Sequence, residues 1–122
     1  MTNSNQRTYD LRERSAKFGE AVIFFVKSIP LNIVTRPLIS QIVRSATSVG
    51  ANYAEADDAE SKRDFRHKIA ICRKESKETM YWFRIISSAE PTVREASSIL
   101  LDEAEQLNRI FGASLKTLDK SD

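Results

Sequence analysis

Residues able to do chemistry are sparse in this sequence. It has one histidine, His67, and one cysteine, Cys72. One Cys and one His cannot supply the four ligands of a structural zinc, and a lone Cys cannot close a disulfide within the chain. No nucleophile is spaced to pair with His67, and Cys72 falls on an apolar stripe where inert packing is the expected role. There is no phosphate loop, no dinucleotide fingerprint and no Glu-x-x-His pair of the di-iron bundles. The acidic run Glu55, Asp57, Asp58 and Glu60 lacks the glycine and the alternating ligands of a calcium loop. Its plainer use is negative charge ahead of a helix N-terminus. The sequence therefore predicts no catalytic residue, no metal and no cofactor, and a protein that is not an enzyme.

Three surface patterns could carry binding instead. At 100° per residue, Lys62, Arg66, Arg73, Lys77 and Arg84 fall within about 60° of one another on one helix. Such a row could track a phosphate backbone, each contact releasing counterions, or it could be an ordinary solvated face. Ile71, Trp82 and Ile85 on the same helix, with Phe24 earlier in the chain, stand off the inward stripes. They read either as a protein–protein patch or as the edge of a wide core face. A polar arc of Gln41, Arg44, Ser45, Ser48, Asn52 and Glu55 is either the wet side of its helix or a polar seam, with Glu75 and Glu78 available to pair with Arg44.

The elements that position these residues are amphipathic helices. The first is expected over about residues 10–28, opened by an Asp10–Glu13 capping box and ended by Pro30, with Leu11, Phe18, Val22, Phe25, Val26 and Ile29 inward. The second covers about 35–56, with Thr35 as N-cap and Pro37 in the first turn. Its seam is Ile39, Ile42, Ala46, Val49 and Tyr53, and Gly50 among small residues implies a close neighbour. The third covers about 61–88, capped by Ser61, with Phe65, Ile69, Cys72, Ser76, Thr79 and Phe83 inward. The fourth covers about 92–118, opened by Thr92 and Glu95, with Val93, Ala96, Leu100, Leu107, Phe111, Leu115 and Leu118 inward. Short connections between long helices force antiparallel neighbours. The fold expected is all-α, an up-down-up-down four-helix bundle.

The bulk properties agree with one domain. The chain has 122 residues, 41% of them apolar, and only 3 Gly and 3 Pro. Charged residues make up 30% but sum to +2, so any electrostatic function rests on uneven distribution. Residues 1–7 and 120–122 are polar ends expected to be disordered, without a signal peptide's apolar run. The cluster Ala21 to Val26 is too short to span a bilayer. A cytoplasmic location and no membrane partner are expected.

Gln41, Arg44, Ser48, Asn52, Ala54, Glu55, Ser61 and Phe65 together resemble the signature of the four-helix-bundle family of the 23S rRNA intervening-sequence protein. Ile69-Ala70, Glu75-Ser76 and Glu78 resemble members of one subgroup. The resemblance extends to the accessory protein of diversity-generating retroelements, a pentameric barrel that binds nucleic acid through a basic surface. It implies a non-enzymatic homo-oligomer, a pentamer, with RNA or DNA as partner. The alternative is a scaffold that docks a protein partner around Trp82. Ala56 stands where many members have Gly, and Asp57, Asp58 and Glu60 where many have a glycine- and arginine-rich loop. That acidic loop argues against nucleic-acid contact at that end of the bundle.

Overall fold

The structure is a computed structural model describing residues 4–120 of the backbone and the side chains of residues 11–120. Helix α1 spans Ser4–Val26, α2 Thr35–Asp57, α3 Lys62–Ala89 and α4 Arg94–Lys120, with a 3₁₀ turn at Pro91–Val93. Of the ends expected to be disordered, residues 1–3 and 121–122 lie outside the described residues, while Ser4 to Arg7 begin α1 and Lys120 closes α4.

Helix boundaries follow local chemistry, and three of the expected starts are corrected. Helix α1 begins six residues before Asp10, so that residue lies inside the helix rather than at its start. It closes ahead of Pro30 through i→i+3 bonds, Ser28 N to Phe25 O at 3.0 Å and Ile29 N to Val26 O at 3.1 Å. Thr35 is the first helical residue of α2 rather than its cap. Asn32 Oδ1 accepts from the backbone N–H of Val34 and of Thr35, both at 2.9 Å, while Thr35 Oγ1 donates back to Pro30 O at 2.7 Å. The Asn side chain stabilises the turn more economically than a cap, because it satisfies two donors in one Asx turn. Ser61 caps α3 as expected, accepting from Asp64 N at 3.0 Å. Thr92 does not cap α4: it lies in the 3₁₀ turn and donates to Glu90 Oε2 at 2.6 Å. Along the stripe that runs into α4, Val93, Leu107, Phe111 and Leu115 are buried as expected, whereas Ala96 is exposed and Ser97 and Ala104 are buried on the same stripe.

Neighbouring helices run antiparallel, and the side-chain contacts fix the register. Gly50 of α2 lies against Ser15 and Ala16 of α1, and Gly19 against Ala46 and Thr47. Cys72 Sγ of α3 donates to Val49 O, and Thr79 Oγ1 donates to Ser45 Oγ at 2.9 Å. Ser87 and Ser97 join the far ends of α3 and α4 at 3.0 Å. Helix α1 packs on α2, α2 on α3, α3 on α4 and, least closely, α4 on α1. Helices α1 and α3, and likewise α2 and α4, are diagonal across the bundle. Aromatic rings fill the centre across both diagonals: Phe25 meets Phe83 at 5.8 Å and Tyr53 meets Phe111 at 6.3 Å. Each buried aromatic contributes about 1.5–3 kcal/mol through removal from water, plus a smaller geometric gain for the pair.

Candidate nucleic-acid interface

All five cations of the α3 row, Lys62, Arg66, Arg73, Lys77 and Arg84, are exposed. The shoulder they occupy turns toward α4. Asn108 of α4 donates to Arg73 O at 2.9 Å and to Ser76 Oγ at 3.1 Å. Arg66 grips Asp119 with two bonds, Nε to Oδ1 at 2.6 Å and Nη2 to Oδ2 at 3.1 Å. These contacts put Arg73 level with the turn holding Arg109, and Arg66 level with the turn holding Lys116.

The result is a cleft of about 420 Å³ between the two helices, lined by Arg66, Arg73, Arg109, Lys116, Asn108 and Asp119 among others. Four cations face one carboxylate. Arg66 holds the Asp119 carboxyl below its usual range, so that acid stays ionised and offsets one cation only. Gly112 opens the cleft floor: a methyl group there would meet only Arg73 Nε, at 3.7 Å. Lys77 and Arg84 continue the row along α3, beyond the residues that line the cleft. Reading the sequence one helix at a time missed Arg109 and Lys116. Their seven-residue spacing matches that of Arg66 and Arg73, but only the register of α3 on α4 brings the two pairs together.

The acidic loop faces elsewhere. Asp57 pairs with Arg12 of α1 at 3.0 Å, and Glu55 pairs with Lys68 at 2.7 Å, on the α2 side of α3. Among the described residues, no group of three or more His, Cys, Asp or Glu converges as a metal site would require. Cys72 is fully buried, and burial pushes its thiol up to about 12. A thiol so protonated is a poor nucleophile.

The signature residues Arg44, Ser48, Asn52 and Glu55 form a polar seam between α2 and α3. Arg44 donates to Glu75 Oε2 at 2.8 Å and, through its other terminal nitrogen, to Glu78 Oε2. Glu78 Oε2 also accepts from Trp82 Nε1 at 2.9 Å. The indole and then the guanidinium hold Glu78 below its usual range, against the opposing effect of burial. Asn52 Nδ2 donates to Ser48 O and Ser48 Oγ, both at 2.9 Å. Glu75 is only 6% exposed, and Arg44 is its charge partner. The arc is divided: Ser45 is buried and Ser48 and Asn52 half-buried, Gln41, Arg44 and Glu55 are exposed, and Arg44 reaches across to Glu75 and Glu78 as expected.

Ile71, Trp82 and Ile85 are half-buried along the same seam, and Trp82 packs against the core. Tyr81 meets its ring edge-on at 5.1 Å. Phe24 does not join them, because α1 is diagonal to α3. It is 80% exposed and lies at the α1–α2 end, where Ile33 is 89% exposed and Leu31 and Val34 also stand out. Of this apolar end the sequence-based site held Phe24 alone, without Leu31, Ile33 and Val34.

No helix among the described residues is long and apolar enough to cross a membrane. None of the curated proteins matches the chain. A crystal structure of a protein of unknown function, from the S23 ribosomal protein family of Bacteroides thetaiotaomicron, superposes with a TM-score of 0.75. It shares 29% identity over 87% of this chain and 98% of its own. The sequence profile of the 23S rRNA-intervening sequence protein family matches residues 7–113, a span that takes in the α2 signature, the α2–α3 seam and most of α4. That match, over most of the chain, places it in the 23S rRNA-intervening sequence protein family.

Proposed function

We propose that this chain is a non-enzymatic, cytoplasmic bundle that assembles with copies of itself and binds RNA or another nucleic acid on the α3–α4 face. The observation that carries the reading is the cleft in which Arg66, Arg73, Arg109 and Lys116 face the single carboxylate of Asp119. With a formal charge of only +2 on the whole chain, cations gathered this way have a local field that the total conceals. Self-assembly is supported by the apolar α1–α2 end, and five copies is the number that the family resemblance implies.

The test is a titration of a structured RNA over a salt series. Affinity is expected to fall steeply with salt, and the Arg73→Glu/Arg109→Glu variant to reduce the slope by about 2, roughly one per lost phosphate contact. Binding indifferent to salt, or unaltered by the double charge reversal, would overturn the reading. A second reading, a scaffold docking a partner protein, is favoured by the half-buried Trp82 with Tyr81 beside it. It gains ground if light scattering finds a monomer and RNA fails to bind.

A further inference from the structure

We infer that the outward face of α4 pairs with the same face of a second copy, antiparallel, across a two-fold axis beside Gln106. The inference stands apart from the nucleic-acid reading and from the apolar α1–α2 end. It starts from a stripe of charge. Glu95, Asp102, Arg109 and Lys116 follow one another at intervals of seven residues, and all four are exposed. Seven residues fall about 20° short of two full turns, so the four make one continuous stripe about 32 Å long. Each stands two positions before a member of the row Ser97, Ala104, Phe111 and Leu118, whose first three members are buried. Two positions turn a helix by about 200°, so the stripe points directly away from the core. Among the described residues, Glu95, Arg109 and Lys116 have no ion-pair partner within the chain, and Asp102 accepts from Gln106 Nε2 at 2.8 Å.

The signs along the stripe run minus, minus, plus, plus. An antiparallel copy of the same stripe complements that order. Glu95 comes opposite Lys116 of the second copy, and Asp102 opposite its Arg109. The two-fold axis repeats both, giving four pairs of opposite sign. A parallel copy would set acid on acid and base on base. An antiparallel copy slipped by one heptad would set Asp102 on Asp102, or Arg109 on Arg109. The pattern therefore rejects the wrong registers as well as favouring one. A side chain at the axis meets its own copy, where a charge would repel itself. The residue of the stripe's edge that falls there, Gln106, is a neutral amide. Glu105 is half-buried and lies about 50° off the stripe, toward α3.

Ile99 adds the apolar contact that charge does not supply. It is 68% exposed, and it lies on the α1 side of the stripe, one turn before the Glu103 that Arg14 of α1 holds. The two-fold axis sets the α1 side of one copy against the α1 side of the other. At the height of Ile99 the second copy presents Ala113, small and exposed, and Ile110, half-buried. The isoleucine enters that hole as a knob, once on each side of the axis. Exposed ion pairs count for little singly, so the pairing is a reversible contact governed by salt. A second copy seated here covers Arg109 and Lys116, two of the cations that line the α3–α4 cleft. Pairing and nucleic-acid contact through those two residues exclude one another.

The experiment is light scattering on the full chain at low and at high salt, with no nucleic acid present. The mass at low salt is expected to be at least about twice that at high salt. Glu95→Lys/Asp102→Lys and Arg109→Glu/Lys116→Glu each leave a stripe of one sign, and each should weaken pairing at least about tenfold. An equal mixture of these two variants should regain the doubled mass. The chain carrying all four reversals, whose order is plus, plus, minus, minus, should regain it alone. It keeps the net charge of the parent, so it separates pattern from total. Phe24→Asp/Ile33→Asp, altered at the other end, should still gain mass by a factor of about two at low salt. Circular dichroism checks that each variant keeps its helix content. A mass indifferent to salt, single-sign variants that pair as the parent does, or a mixture that stays unpaired would each overturn the inference. So would loss of the salt-dependent doubling in Phe24→Asp/Ile33→Asp. The RNA titration is separate, and none of these outcomes decides it.

Discussion

At the scale of single residues, the seam around Glu78 makes a measurable prediction. Trp82 is the one tryptophan of the chain, and its indole donates to Glu78. A carboxyl held below its ordinary value, about 4.3 for glutamate, stabilises the fold above that pH and loses the contribution as pH falls through the lowered value. The emission of Trp82 should therefore titrate with a midpoint under about 4.3, and Glu78→Gln should abolish the transition. A midpoint at or above the ordinary value would contradict the hydrogen bonding described. Residue types told much of this in advance: Arg44 lay within reach of two acids once α2 and α3 were taken as neighbours. They could not tell that Glu75 is buried while Glu78 shares one oxygen between a guanidinium and an indole, because that depends on side-chain depth and not on spacing.

At the scale of helices, glycine gives a sharper test. A Cβ at Gly50 would lie 3.1 Å from Ser15 O and 3.3 Å from Ala16 Cα and N, all backbone atoms of α1 that cannot move aside alone. A Cβ at Gly112 would meet only the flexible end of Arg73. Alanine is worth about 1 kcal/mol over glycine inside a helix. Gly112→Ala is thus expected to raise the urea midpoint by about that energy, whereas Gly50→Ala should lower it despite the same intrinsic gain. Equal shifts for both would show that α1 and α2 are not in backbone contact. The apolar stripes of α1, α2 and α3 were legible because a period of 3.6 survives in their burial. Helix starts were less so. Asp10 and Thr92 have capping-box spacing, yet an earlier start at Ser4 and a 3₁₀ turn at Pro91–Val93 take precedence. Local pattern cannot choose between two capping solutions that tertiary packing decides. The α4 side of the cleft was illegible for a related reason, since Arg109 and Lys116 join Arg66 and Arg73 only through the register of the two helices.

For the whole molecule, the two unusual surfaces lie at opposite ends. The cleft lies toward the α2–α3 loop, and Phe24, Leu31, Ile33 and Val34 lie at the α1–α2 turn. Ile33→Asp with Phe24→Asp is expected to dissociate the proposed assembly in light scattering while leaving helix content unchanged; a parent chain that is already monomeric, or a variant that stays assembled at high salt, would contradict assembly through this end. The weakly packed α1–α4 face has a consequence for how the chain reaches this state. Three of its four helix interfaces join consecutive helices, each a short hairpin that closes quickly. The fourth brings Arg14 to Glu103, 89 residues away, where the guanidinium takes both carboxylate oxygens at 2.8 and 2.7 Å above a hollow of about 430 Å³. Its closure carries the largest loop entropy and the smallest packing reward. In kinetic terms it is expected to be the last interface to form and the first to part, with α1 releasing α4 while the more extensive α2–α3 and α3–α4 interfaces stay closed.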